Sequence, residues 1–223
     1  MIGSDEFGVT VLTLRSLRIE PKSGQTATGL VVVLHGWGAN AQDVSFLCSL
    51  LELPDCEFIL PDAPFSHPYS LGGKMWYDLP NMIDFQTDLS QRSDLQQSRQ
   101  QLSDWLRSLE SQTGIPLSRT ILGGFSQGGA MTLEVGLSLP LAGLMILSGY
   151  QHGALSPQPT YPPILMVHGR QDAVVPLKAA HLAKDNLIKL GASINYEEFD
   201  MGHEISPLVL TRMQHFITQT LFS

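Results

Sequence analysis

Cysteine is scarce in this 223-residue chain, which carries Cys48 and Cys56 and no other. Two thiols so close together in a chain of this size read as reduced core residues, not as a secreted disulfide framework. Charge is sparse too. Charged residues make up 15%, and 13 basic against 21 acidic residues leave a formal net charge of −8. The broad basic surface that nucleic acid or anionic lipid requires is missing, so neither is an expected partner. Long hydrophobic runs are also absent. A stretch such as Leu30–Leu34 is of strand length, whereas a membrane span needs roughly 20 apolar residues, so no transmembrane segment is expected. Asp5 and Glu6 stand where a secretory signal would be cationic, and no apolar stretch follows them; a cytoplasmic location is the default. The seven histidines show no metal-ligand spacing, and His203-Glu204 lacks a second histidine four residues on. No metal and no other cofactor is expected.

What is present is apolar bulk. Hydrophobic residues make up 43% of the chain and mean hydropathy is +0.06, enough for a large core. Length sets an expectation of one domain over 9–223, with residues 1–8 disordered or left over from cloning. Monomer or weak homodimer is the expected state.

Elements alternate along the chain. Val9–Leu14 alternates polar and apolar residues and reads as an edge strand, whereas Leu30–His35 is a continuous β-branched run of the kind buried on both faces. A helix over 42–51 and a strand at 57–61 follow. Residues 62–90 read as a long irregular loop, a kind of segment that tends to be functional. From Ser93, Leu95, Leu102, Leu106 and Leu109 form one helical stripe with Trp105 beside it, ended by Gly114 and Pro116. Then come a strand at 120–123, a helix at 127–139, strands at 141–147 and 164–168, a helix at 177–190, a strand at 194–199 and a helix at 207–221. Such alternation predicts an α/β fold with a mostly parallel sheet covered by helices on both faces.

Between a buried strand and the next helix lies Gly124-Phe125-Ser126-Gln127-Gly128. This G-x-S-x-G pattern is that of a strained strand-to-helix turn exposing a nucleophilic serine, with glycines where side chains would collide. Serine needs a base, and the base needs an orienting acid, in the chain order Ser, Asp or Glu, His. Among the downstream histidines, His181 and His215 fall within helices. His168 leaves no room for an acid before it. His152 is preceded by Glu134 alone, which lies in a helix. His203 instead follows the strand at 194–199, and Asp172 occupies the matching loop after the strand at 164–168. Loops at the carboxyl ends of strands are where open α/β sheets place ligand chemistry. Asp200 is a rival acid, but so close to His203 it reads as a loop cap. The expected roles are Ser126 as nucleophile, His203 as general base and acid, and Asp172 as its orienting partner. Backbone N–H groups of Gln127 and Trp37 are the expected donors to the oxyanion.

At these residues the chain resembles the phospholipase/carboxylesterase family, which includes acyl-protein thioesterases. The resemblance rests on Leu34-His35-Gly36-Trp37-Gly38-Ala39-Asn40, Met75-Trp76-Tyr77-Asp78, Gly124 to Met131, His168 to Pro176 and Gly202-His203. It implies an α/β-hydrolase fold and a serine esterase or thioesterase, with Ser126, Asp172 and His203 as its triad. Two positions depart from the eukaryotic thioesterases. Gly38-Ala39-Asn40 stands where they have a Gly-Asp pair, and Tyr150 where they have tryptophan.

Between Ser148 and Ile164 too few residues remain for a separate cap domain, so an open site is expected. The long loop offers Leu71, Met75 and Trp76 as groove residues, although Met75 and Trp76 could equally pack the loop to the body. The resemblance implies that Trp37, Tyr150 and Val174 line the same groove. Short- to medium-chain acyl esters or thioesters are the expected small-molecule substrates. Rival readings are a non-enzymatic ligand sensor on the same scaffold, and lysophospholipase or acyl-protein thioesterase as the true activity. Dienelactone hydrolases use a cysteine where this chain has Ser126.

Overall fold

A computed structural model describes residues 3–4, 10–11, 14–79, 85 and 87–222. Seven strands form one sheet: β1 Ser16–Ile19, β2 Gly29–Leu34, β3 Cys56–Pro61, β4 Thr120–Phe125, β5 Gly143–Leu147, β6 Ile164–Gly169 and β7 Ile194–Phe199. Their order is β7-β6-β5-β4-β2-β3-β1, parallel throughout except for β1, which runs antiparallel to β3. Five helices connect or cover them: α1 Ala41–Ser49, α2 Ser93–Thr113, α3 Gln127–Gly136, α4 Leu177–Lys189 and α5 Pro207–Phe222.

The central strands are buried on both faces because the helices divide between them. Along β2, Val31 and Val33 face a core shared with Val44 and Cys48 of α1 and Phe216 and Ile217 of α5. Leu30, Val32 and Leu34 face the other core, with Trp105 and Leu106 of α2, Met131 of α3 and Leu187 of α4. This period of two matches the pleat of a strand packed on both sides. The stripe on α2 is buried as its spacing predicts, and Gly114 ends the helix in the left-handed region at φ 75°.

The edge strand is displaced from its expected place. β1 lies at Ser16–Ile19, where exposed Ser16 and Arg18 alternate with half-buried Leu17 and Ile19, and Arg18 donates to Glu57 of β3 at 2.8 Å. Thr10–Val11 pairs instead with Gly3–Ser4 in a separate two-residue ribbon, while Val9, Leu12 and Thr13 lie outside the described residues. The loop at 62–90 also holds some order. Phe65–Ser66 pairs antiparallel with Lys74–Met75, and residues 80–84 and 86 lie outside the described set. Both cysteines are free and buried, and burial pushes each thiol up to about 12.

From β2 the chain passes through α1 to β3 on one side, then through α2 to β4 on the other. The sheet therefore reverses its order between β2 and β4. In open α/β sheets the crevice beyond the carboxyl ends at such a switch point is where ligands bind. The loop His35–Asn40 follows β2 there, and Ser126 follows β4.

Candidate active site

Ser126 occupies the turn between β4 and α3 with φ 56° and ψ −119°, a strained conformation for a residue with a Cβ. Two glycines make the turn possible. A Cβ on Gly124 would strike the Gly128 carbonyl, and one on Gly128 would strike the carbonyls of Leu34 and His35. The turn is held by Ser126 N–H donating to Leu147 O at 2.8 Å and Ala130 N–H donating to Ser126 O at 3.0 Å. Gln127 opens α3 and its side chain is engaged at both ends. Its Oε1 accepts Trp76 N–H at 2.9 Å, and its Nε2 donates to Tyr77 O at 2.7 Å.

Asp172 and His203 meet. The His203 Nδ1–H donates to Asp172 Oδ2 at 2.7 Å, while Asp172 Oδ1 accepts the amides of Val174 and Val175 at 2.9 and 2.8 Å. The buried carboxylate is thereby fixed on both oxygens, and its bond to Nδ1 leaves Nε2 as the free ring nitrogen. Asp200, the rival acid, is exposed and accepts Arg170 at 2.8 Å. The tilted Phe125 ring packs on the His203 ring with centroids 4.6 Å apart. Ser126 and His203 both line a cleft of about 590 Å³ together with Trp37. No direct hydrogen bond joins the serine hydroxyl to the ring among the described residues. Such contacts commonly tighten only once substrate is bound.

The loop after β2 is oriented from behind. Buried His35 accepts Ala63 N–H on Nε2 at 3.0 Å, so Nδ1 carries the proton and donates it to Gly36 O at 2.8 Å. The Gly36 carbonyl and the Trp37 N–H belong to one trans peptide and point in opposite directions. Pinning the oxygen to the imidazole therefore aims the Trp37 N–H away from it. Burial holds the His35 pKa below the usual imidazole value, which keeps this tautomer neutral. Further along, Gly38 N–H donates to Lys74 O and Lys74 N–H to Ala39 O, both at 2.8 Å, tying the loop to the 65–75 ribbon. Asn40 then caps α1, its side chain accepting the amides of Gln42 and Asp43 while the Asp43 side chain accepts the Asn40 N–H.

Of the anticipated groove residues, Tyr150, Val174 and Trp37 line the cleft. Leu71, Met75 and Trp76 do not. Trp76 is completely buried, its Nε1–H donating to His35 O at 3.1 Å; Met75 pairs with Phe65 in the ribbon, and Leu71 lies fully exposed at its tip. Their place on the wall is taken by Leu79, Phe85, Phe125 and Val175. Phe85 and Leu79 sit in a stretch without periodicity, so nothing in the sequence marked them. Phe125 lies inside the serine motif and Val175 just beyond Asp172, where a side chain facing the cleft was a readable possibility.

A buried polar chain behind the cleft was also missed. Tyr150 and Tyr77 hydroxyls lie 2.6 Å apart, Tyr77 hydroxyl is 2.7 Å from His152 Nε2, and His152 Nδ1 is 3.0 Å from Glu134 Oε2. Arg99 closes the chain on Glu134 Oε1 at 2.9 Å. With the Nδ1–H of His152 donating to Glu134, Nε2 accepts from Tyr77, which in turn accepts from Tyr150. Burial pushes the Glu134 carboxyl up, but the hydrogen bonds from His152 and Arg99, with the charge of Arg99, outweigh it and hold the group below the usual range. His152 O also accepts Leu89 N–H at 2.6 Å, and Phe85 stacks edge-on against Tyr150. The chain thus fixes one wall of the cleft.

A sequence profile of the phospholipase/carboxylesterase family matches residues 16–221. The chain belongs to that family. Among its relatives is acyl-protein thioesterase 1 of Neurospora crassa, 33% identical over 217 residues and covering 87% of each chain. Acyl-protein thioesterase 1 of Schizosaccharomyces pombe is 34% identical over 176 residues, 73% of this chain and 76% of the relative. Among solved structures, esterase PE8 superposes with a TM-score of 0.85 at 31% identity, covering 94% of this chain and 100% of that one. Acyl-protein thioesterase 2 of Zea mays shares the fold at a TM-score of 0.72 and 23% identity, over 93% of this chain and 99% of that one. The fold is that of an α/β-hydrolase without a separate cap, since Ser148–Ile164 carries no inserted helix or strand. This member of the phospholipase/carboxylesterase family is a serine hydrolase of esters or thioesters. Among the described residues no helix is long and apolar enough to cross a membrane, and no cluster of three or more metal-ligating side chains occurs.

Proposed function

We propose that Ser126, His203 and Asp172 are the catalytic triad and that they cleave acyl esters and thioesters through an acyl-enzyme. The observation that carries this reading is the 2.7 Å bond from His203 Nδ1 to a carboxylate held on its other oxygen, with His203 lining the same cleft as a serine in a strained strand-to-helix turn. His203 Nε2 takes the Ser126 proton as the hydroxyl attacks the carbonyl carbon, then returns it to the leaving oxygen or sulfur as the tetrahedral intermediate collapses. Water, deprotonated by the same nitrogen, releases the acid. The Trp37 and Gln127 amides are the donors to the oxyanion, supported by the pinned Gly36 peptide and the free start of α3. His35 and the Gln127 side chain act as positioning groups.

Short- to medium-chain acyl groups are the proposed substrates. Leu79, Phe85, Tyr150, Val174 and Val175 supply the apolar wall, and among the described residues lining the cleft there is no lysine or arginine to hold a charged acyl group. The kinship with acyl-protein thioesterases extends the reading to thioesters. We further propose one domain over 9–223, acting as a monomer or weak homodimer in the cytoplasm.

The test is a panel of aryl esters, acyl thioesters and lysophospholipids with wild type and Ser126→Ala. Multiple turnover by wild type is expected, with a loss of at least about 10³-fold in the variant. A chain-length series in which acetyl is best and octanoyl is inert would sink the acyl cleft. Binding without turnover would favour a ligand sensor on this scaffold.

A further inference from the structure

Beneath Phe125 lies a second cavity of about 130 Å³, outside the reach of Leu79, Phe85 and Tyr150. Its far walls are Leu47 and Cys48 of α1 and Met213 of α5. Its near wall is made of Gly36, Ala39 and Phe125, which also line the cleft that holds Ser126. The two spaces therefore share a partition, and Phe125 is its one large side chain. Ile205, two residues past His203, closes the remaining side. We infer that this cavity is a subsite for the alkyl part of the leaving alcohol or thiol.

The side on which it lies decides between acyl and leaving group. This step rests on the triad proposed above: the leaving oxygen takes its proton from His203, so the leaving group must lie against that ring. Phe125 is packed on the same ring at 4.6 Å, and the cavity lies on its other side, bounded also by Ile205, two residues past His203, so a turn of the Phe125 side chain would join it to the cleft. The acyl chain, on the wall of Leu79, Phe85 and Tyr150, occupies a different part of the cleft.

The lining decides the chemistry. A cavity of this size walled by aliphatic and aromatic side chains stays dry and takes a small hydrocarbon. The one charged side chain on its lining, Asp43, is exposed at the rim and accepts the Asn40 amide at 2.9 Å, and the other lining side chains are apolar. A sugar or a charged headgroup there would lose its water without gaining partners. The occupant is a short alkyl chain. Unfilled space of this kind lowers stability, and small Cys48 and Ala39 keep it open where larger side chains would close it.

The test holds the acyl group constant and varies the alcohol, from ethyl through butyl to hexyl acetate. Leu47 is half-buried on the cavity wall, so substitutions in both directions are tolerated there. In wild type, kcat/KM is expected to rise roughly three- to four-fold per methylene until the cavity is full. Leu47→Phe should move that plateau to shorter alcohols and Leu47→Ala to longer ones. A parallel series of methyl esters of increasing acyl length should give the same order of preference in all three proteins. Superimposed alcohol profiles in active proteins, or acyl profiles that shift together with them, would overturn the subsite. Absence of turnover by wild type on every ester would overturn the triad and the subsite with it.

Discussion

Several buried polar side chains in this protein have their protonation set by their neighbours. His35 and His168 are both held below the usual imidazole value, in each case by burial first; hydrogen bonds to Gly36 O and Val175 O oppose the shift without cancelling it. The unfolded chain takes up a proton at each near pH 6.5, whereas the folded protein resists it. Stability is therefore full above that pH and falls as pH drops through it toward the lower folded values. Urea midpoints measured from pH 8 to pH 5 should decline, and His168→Gln should decline less steeply; parallel curves would count against this. Tyr77→Phe removes the donor to His152 Nε2 in a fully buried place and is expected to cost about 1–3 kcal/mol in the same assay. The Glu134–His152 pairing shows where residue-level reading runs out. A helical position argues against Glu134 as a partner in the sequence, but one turn of α3 faces the segment after β5, a contact that the sequence does not mark. The Asp172–His203 pairing was readable, because both lie in loops at the same edge of a parallel sheet.

At the scale of elements, the strongest signals were those with a steric cause. The serine motif was legible because its glycines are demanded by carbonyls a Cβ would strike. Gly128→Ala is accordingly expected to abolish labelling by a fluorophosphonate, and full labelling of a folded Gly128→Ala protein would contradict that account of the turn. The α2 stripe was legible from period alone. Leu106→Ala, at a completely buried position between α2 and the sheet, should cost about 2–5 kcal/mol in chemical denaturation. Elements of two to four residues were not legible. The edge strand was expected within 9–14 because that segment alternates, yet 16–19 alternates equally well, and pairing with β3 selects it. The 65–75 ribbon carries a weak local signal, and its order comes from the bonds of Lys74 to the loop after β2. For Trp76 the sequence leaves the groove and packing against the body equally open, and His35 O and the Gln127 side chain select the second by drawing the segment inward.

For the molecule as a whole, persistent strand–helix alternation was enough for a parallel sheet clad on both faces, but not for strand order. The reversal between β2 and β4 brings residues 36–39 and 126 to one crevice, and β5 to β7 extend the sheet toward the loops of 172 and 203. Four loops separated widely in sequence thus converge because every strand that precedes them points the same way. In the proposed mechanism Ser126 carries the acyl group during turnover. Rapid acid quench during hydrolysis of a p-nitrophenyl ester, followed by peptide mass mapping, measures this directly. The expected result is an acyl mass increment on the peptide containing Ser126, absent from Ser126→Ala. An active enzyme whose acyl group is found on another residue would contradict it.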